Sequence, residues 1–400
     1  MTMRISTAWR YEQGVTQMMR QQQKIATTQN QLSTNQKWQT AADDPAGWAQ
    51  AQGYDRLVAQ TAQYTSAAQT AQQRLQLGED TVASGIGLLQ HVRELIVQAN
   101  TATQSADTRK TIAAELTGVR EQLMALANTG DGQGRYLFGG ADDGSAPFAW
   151  NGSSADYRGD QTSVMAQIGS ERTVAQNDPG SRVFMGLKTG NGTFAVSAAS
   201  GNAGSAAIGN TTLVDAEAWD GGSYTLRFTA ADQYEIVDAS NNVLQSGSAG
   251  DGATVTFRGA SLTFSGTAAA GDSFAIAPSA SQDMFAMIDQ LAQLLTQPQD
   301  SAAQRAQVQT ALQQGLGTLQ SAEDRLSDVR SGIGIRLNAI DDALDVAAAQ
   351  NEHATAAAST LRDTDYADAI GKLQLQMTTL QAAQQVYTKV QGLSLFDYLR

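Results

Sequence analysis

The feature that most constrains this 400-residue chain is a change of hydrophobic period along it. Toward both ends, apolar residues recur at alternating spacings of three and four, which places them on one stripe of an α-helix. In the middle they recur at every second residue, as in a strand with one buried face. Tyr64, Ala68, Ala71, Leu75, Gly78, Val82, Gly85, Leu89, Val92 and Ile96 keep the helical rhythm and predict one long helix with a narrow seam. After a polar break around Asn100 to Ser105, Ile112, Leu116, Val119, Leu123 and Leu126 repeat it, so a second helix is expected to return antiparallel. The glycines that follow, at 130, 132, 134, 139 and 140, lack the lysine of a phosphate-binding loop and are expected to form a flexible connection. Met284, Ile288, Leu291 and Leu295 predict a short helix ending before Pro298. Leu312, Leu316, Leu319, Leu326, Ile333, Leu337, Ile340, Leu344 and Ala347 predict a long one, with Glu323 and Arg330 where the stripe skips.

Between Pro147 and Pro278 the period falls to two. Tyr224, Leu226 and Phe228 alternate with polar neighbours, as do Val255 and Phe257, Leu262 and Phe264, and Phe274 and Ile276. Turn signals at Gly221-Gly222, Asn241-Asn242, Asp251-Gly252 and Gly271-Asp272 separate them at the spacing of a compact all-β unit. The fold class expected is α+β and multidomain: a long antiparallel helical coiled-coil bundle made from both chain ends, with an inserted all-β domain. The expected divisions are 1–44 with 365–400 as terminal helices, 45–146 with 281–364 as the helical bundle, and 147–280 as the insert.

The terminal stripes are thin. Tyr11, Met18, Ile25 and Leu32 are spaced by seven, but the complementary positions are Val15, Gln22 and Gln29. Tyr366, Ile370, Leu373, Met377, Leu380 and Tyr387 make a fuller seam, interrupted by Gln384. Half a seam buries too little apolar surface to offset lost chain entropy, so these helices are expected to be frayed in a free monomer and to complete their cores against partners. The ten named apolar residues are the candidate assembly surface. Between the first stripe and the next helix, Asp43-Asp44-Pro45-Ala46-Gly47 reads as a joint: Asp44 is placed to cap a helix whose first residue is Pro45.

Composition removes most chemistry. There is no Cys, which excludes disulfides, thiolate metal sites and a Cys nucleophile, and the two histidines, His91 and His353, lack a second His at ligand spacing. HExxH, GxSxG and Gly-Lys-Ser/Thr motifs are absent. Asp142-Asp143-Gly144 lacks the spaced ligands of a calcium loop and is expected to be a turn; Asp363 and Asp365 are expected to cap a helix. No catalytic residue, metal or cofactor is assigned. The net charge of −13 argues against nucleic acid, and no window is apolar enough for membrane insertion. That charge is uneven: residues 1–130 hold 11 basic and 10 acidic groups, 131–280 hold 7 and 15, and 281–400 hold 8 and 14. The start also lacks a signal peptide's apolar stretch.

Several segments carry a family likeness. Met3-Arg4-Ile5-Ser6-Thr7, Ala41-Ala42-Asp43-Asp44-Pro45-Ala46, and the run from Gly332, Gly334, Arg336, Leu337 and Asn338 through Asp363, Asp365, Ala369 and Ile370 to Leu393-Ser394-Leu395 resemble the bacterial flagellin family. The likeness covers about the first 140 and last 120 residues; Trp48, with the Gln-rich helix around it, departs from it. The ending Leu395-Phe396-Asp397-Tyr398-Leu399-Arg400 is more similar to the family's junction subunits than to its bulk filament subunit, flagellin. The resemblance implies a structural, non-enzymatic role outside the cell, in the flagellum, after export through the flagellar type III apparatus without a cleavable leader. It further implies terminal helices packed with neighbouring copies, and as partners hook-associated protein 1, flagellin and an export chaperone. Two other classes compete. A chemoreceptor-type coiled coil would share the Gln and heptad character but bring membrane spans; a carbohydrate-active insert would need an aromatic-rich cleft, and aromatics are 6% of the chain.

Overall fold

The computed structural model describes residues 7–101 and 104–398. Its helices are α1 (Thr7–Thr34), α2 (Pro45–Ala99), α3 (Ala106–Ala127), α4 (Gly180–Phe184), α5 (Met284–Thr296), α6 (Ala302–Arg362) and α7 (Tyr366–Tyr398). Between α3 and α5 run β1 (Phe148–Trp150), β2 (Ala155–Tyr157), β3 (Met165–Gln167), β4 (Thr173–Ala175), β5 (Leu187–Lys188), β6 (Phe194–Ala198) and β7 (Ala207–Leu213). They are followed by β8 (Tyr224–Ala230), β9 (Gln233–Val237), β10 (Val243–Ser248), β11 (Thr254–Phe257), β12 (Ala260–Ser265), β13 (Ser273–Pro278) and β14 (Ser281–Gln282). The expected class is the one found: helices from both chain ends around an antiparallel β insert. Two compact units result, Met1–Thr65 with Leu344–Arg400 and Ser66–Ala343, so α2 and α6 each run through both.

In the larger unit most of the helical seam is buried, with Leu126, Leu316 and Leu337 half-buried. Every member of the α2 stripe from Ala68 to Ile96 is buried, as are Ile112, Leu116, Val119 and Leu123 of α3 and Met284, Ile288, Leu291 and Leu295 of α5. The two skips in the α6 stripe have partners on α2: Arg93 donates to Glu323 at 2.7 Å, and Arg330 to Glu79 at 2.6 Å. Arg120 of α3 ion-pairs with Asp289 of α5 and lies over the Trp150 ring at 4.4 Å, so its charge and its flat face are both used.

The insert is built on a five-stranded sheet ordered β10-β9-β8-β13-β6 and a three-stranded sheet ordered β11-β12-β7, antiparallel throughout. Alternating residues from both sheets share one core, including Val196, Leu226, Phe228, Ile236, Leu262 and Ile276. Phe264 meets Phe228 and Phe274 edge-on, with ring centres 5.5 and 5.4 Å away. Burying one such ring contributes roughly 1.5–3 kcal/mol. Gly271, at the predicted turn before β13, has φ 97, a conformation side chains avoid.

Two of the insert's sheet edges are covered by a row of polar residues on α6. Thr310 Oγ1 accepts from Ile208 N of β7 at 2.9 Å, Gln314 Oε1 from Val196 N of β6 at 3.1 Å, and Thr318 Oγ1 from Gly190 N at 3.0 Å. Arg325 donates to the carbonyls of Arg182, Met185 and Gly186, and Arg336 to that of Ala175 while pairing with Asp178. Spacings of four keep Thr310, Gln314 and Thr318 on one face. Gly317 lets the helix come close, since a Cβ there would lie 2.4 Å from Gly190 O.

One expectation is corrected here. The glycine-rich stretch after α3 is a fixed loop rather than a flexible connection. Arg74 donates to Tyr136 O at 2.8 Å and to Asp143 at 2.9 Å, and approaches Asp131 at 3.5 Å, with all three side chains nearly buried. A Cβ on Gly140 would come within 2.2 Å of Asp160 Oδ1, so this glycine serves packing. The turn expected at Asp142-Asp143-Gly144 thus carries a buried ion-pair partner.

Candidate assembly surface

The candidate surface lies in the smaller unit, where α1 and α7 pair. On α1 the half-buried or buried positions that alternate by four and three are Gly14, Met18, Gln21, Ile25, Thr28 and Leu32, with Val15 and Gln31 half-buried beside them; on α7 they are Ala369, Leu373, Gln376, Leu380, Ala383 and Tyr387. Both sets alternate by four and three, so each helix presents one coiled-coil stripe to the other. The pair is antiparallel: a Cβ on Gly14 would lie 3.3 Å from the Tyr387 ring, and Gln21 Nε2 donates to Gln376 O at 3.1 Å. Thr28 Oγ1 sits 3.0 Å from Lys24 O and 3.1 Å from the Gln376 side-chain oxygen, its one proton shared between them.

This seam differs from the expected one in two respects. Gln21 and Thr28, and not Gln22 and Gln29, complete the α1 stripe, because an alternation that starts at Gly14 lands on them. On α7 the ten-residue expectation splits: Leu373, Leu380 and Tyr387 turn toward α1, whereas Tyr366, Ile370 and Met377 stay 50%, 46% and 47% exposed. Leu375 and Val386 on α7 and Met19 on α1 are still more exposed. Met18, Ile25 and Leu32 all lie in the seam; the Tyr11 side chain lies outside the described residues.

The joint has definite chemistry. Asn35, at φ 56, ends α1 in the left-handed region that Asn tolerates. Asp43 accepts from Gln39 N, Thr40 N and Thr40 Oγ1, and these bonds, the Thr40 backbone first, hold its carboxyl below the usual carboxylate range. Asp44 Oδ1 accepts from Gly47 N at 2.9 Å, and α2 begins at Pro45. A Cβ on Gly47 would meet Asp44 Oδ2 at 2.3 Å, so a larger residue there would have to displace the capping carboxylate. Trp48 packs on Trp38 with ring centres 5.2 Å apart, and Arg362 ion-pairs with Asp55 at 2.5 Å beside them. Across the joint, Asp365 caps α7 through Ala367 N at 2.9 Å, but Asp363 instead accepts from Ser359 Oγ at the end of α6.

His91 bonds Glu115 at 3.0 Å, linking α2 to α3, and His353 is exposed. Among the described residues, no group of three or more His, Cys, Asp or Glu could hold a metal ion. No described helix is long and apolar enough to cross a membrane.

Comparison with known proteins agrees with this helical frame. Residues 5–143 match the bacterial flagellin N-terminal helical region and residues 316–399 its C-terminal helical region. Flagellar hook-associated protein 3 of Escherichia coli is 26% identical over 99% of both chains. That of Salmonella typhimurium is 36% identical over 182 residues, 46% of this chain and 57% of that protein's length. The crystal structure of Xanthomonas campestris FlgL superposes with a TM-score of 0.72 at 34% identity, covering 76% of this chain and 99% of that one. The chain belongs to the bacterial flagellin family, on its hook-associated protein 3 branch. Flagellins match this family member over less: flagellin A of Vibrio anguillarum is 30% identical over 140 residues, 33% of this chain and 35% of that protein. Membership implies a flagellar location and flagellar partners, and the relatives are structural proteins rather than known enzymes.

Proposed function

We propose that this protein is the hook–filament junction subunit, an adaptor between hook-associated protein 1 and the flagellin filament. The full-length likeness to hook-associated protein 3 carries this reading, and the uncovered apolar residues of α7 support it. In this reading 1–44 with 365–400 form the inner core of the assembly, 45–146 with 281–364 the helical bundle, and 147–280 the outer domain. Met18, Ile25, Leu32, Leu373, Leu380 and Tyr387 hold the terminal pair together. Tyr366, Ile370 and Met377 meet neighbouring copies, and Tyr11 is assigned to the same surface. Asp43, Asp44 and Pro45 set the chain direction between inner core and bundle. The route out is flagellar type III export, with a chaperone, and the role requires no catalysis.

The aspartate pair Leu373→Asp with Met377→Asp is expected to abolish incorporation while leaving the β insert folded. Ile370→Asp with Met377→Asp is the cleaner pair, because both side chains point away from α1. Normal incorporation of that second pair would sink the assignment. A strain lacking the protein is expected to complete hooks and release unpolymerised flagellin; filaments of ordinary length exclude the junction role.

A further inference from the structure

Helix α7 offers two overlapping seams that share Leu373, Leu380 and Tyr387. The more apolar choice would add Tyr366, Ile370 and Met377; the seam actually used adds Ala369, Gln376 and Ala383. The two differ by a rotation of about 50°, half the angle between successive helical residues. Burial alone favours the apolar choice, since it would cover an Ile, a Met and a Tyr in place of two alanines and an amide.

What offsets that loss lies opposite Gln376. Its backbone oxygen accepts from Gln21 Nε2 and its side chain meets Thr28 Oγ1, each at 3.1 Å. Gly14, Ala369 and Ala383 occupy other positions of the same seam. Rotating α7 would break both bonds and set an apolar side chain against the buried Thr28 hydroxyl, and sliding it by a heptad would leave the half-buried Gln376 amide without this partner, so both moves are penalised at this one layer. We infer that Gln376 fixes the rotation and register of α7 on α1, and thereby keeps the Tyr366, Ile370 and Met377 stripe uncovered. Gln376 is a positioning residue in this account: it spends burial within the chain to hold an apolar stripe outward. That the stripe then meets neighbouring subunits rests on the junction reading; the rotation itself does not.

The absence of cysteine gives a clean test in the dilute full-length chain. Single Ala369→Cys and Ile370→Cys chains report rotation through their alkylation rates. With Gln376 present, the Ile370→Cys chain is expected to react several-fold faster, because residue 369 is 4% exposed and residue 370 is 46% exposed. Adding Gln376→Leu is expected to invert or level that ratio while amide-exchange protection of α1 and α7 is maintained or rises. Thr28→Val, which keeps shape and removes the hydroxyl, is expected to move the ratio in the same direction by less. An unchanged ratio in both variants overturns the inference. So does loss of protection in Gln376→Leu, which would make the residue a plain stabiliser. Failure of the junction reading would instead appear in the incorporation of Ile370→Asp with Met377→Asp.

Discussion

The α2/α3/α5/α6 bundle and the α1/α7 pair follow the same rule of threes and fours and reach different ends. In the bundle, Leu89, Leu116, Leu123 and Leu326 have no exposed surface. In the terminal pair, the corresponding Met18, Ile25, Leu32 and Leu380 are only half-buried, and a threonine and two glutamines sit among them. A heptad therefore specifies a helix and a side, but the number of neighbours decides how much stability that side supplies.

The largest expected contrast is between two leucines. Leu123→Ala is expected to destabilise the bundle by roughly 2–5 kcal/mol. Leu380→Ala, on a half-exposed seam, is expected to cost about 1 kcal/mol or less. Thermal unfolding of the larger unit should report the first, and amide exchange of α1 and α7 the second; equal costs would break the comparison. A smaller contrast comes from two glycines. Gly317→Ala drives a methyl against the backbone of Gly190 and is expected to cost roughly 1–3 kcal/mol by urea denaturation. Gly14→Ala meets only the movable Tyr387 ring at 3.3 Å and is expected to stabilise α1, by up to about 1 kcal/mol of helix propensity.

The smallest contrast is in acid. Asp43, in the joint, is held below 3.8 by hydrogen bonds, so its contribution is complete above that pH and is lost as pH falls through its folded value. Asp283 caps α5 through Ala286 N at 2.7 Å, but burial, the largest influence on it, raises its carboxyl above 3.8. Its contribution is complete below 3.8 and declines as pH rises through its folded value. Urea midpoints measured against pH should lose the first slope in Asp43→Asn and the second in Asp283→Asn.

Much of this was legible in the residues. The α2, α3 and α5 stripes, the skips at Glu323 and Arg330, and the strands around Leu226, Leu262 and Phe274 follow from periodicity, because each is repeated often enough to outweigh local noise. The alternations Phe194/Val196 and Tyr234/Ile236 carry the same signal, but over too few residues to stand out from their surroundings. Arg74 was invisible because a charged residue beside an apolar stripe looks like a solvated one until its two aspartates arrive from Asp131 and Asp143. The rotation of α7 is not legible in sequence, because hydrophobicity ranks Met377 above Gln376 and only the partner helix supplies Thr28 and Gln21 opposite it. Likewise Thr310, Gln314 and Thr318 read as an ordinary polar face; nothing in sequence announces that their partners are strand amides.

That polar row has a consequence for how the protein can change over time. Thr310, Gln314, Thr318, Arg325 and, in part, Arg336 grip the insert by main-chain amides and carbonyls. Every amino acid but proline supplies both groups. The attachment is thus largely indifferent to which side chains the insert displays, so its outer surface can be rewritten, residue by residue, while the seat beneath it keeps the same bonds.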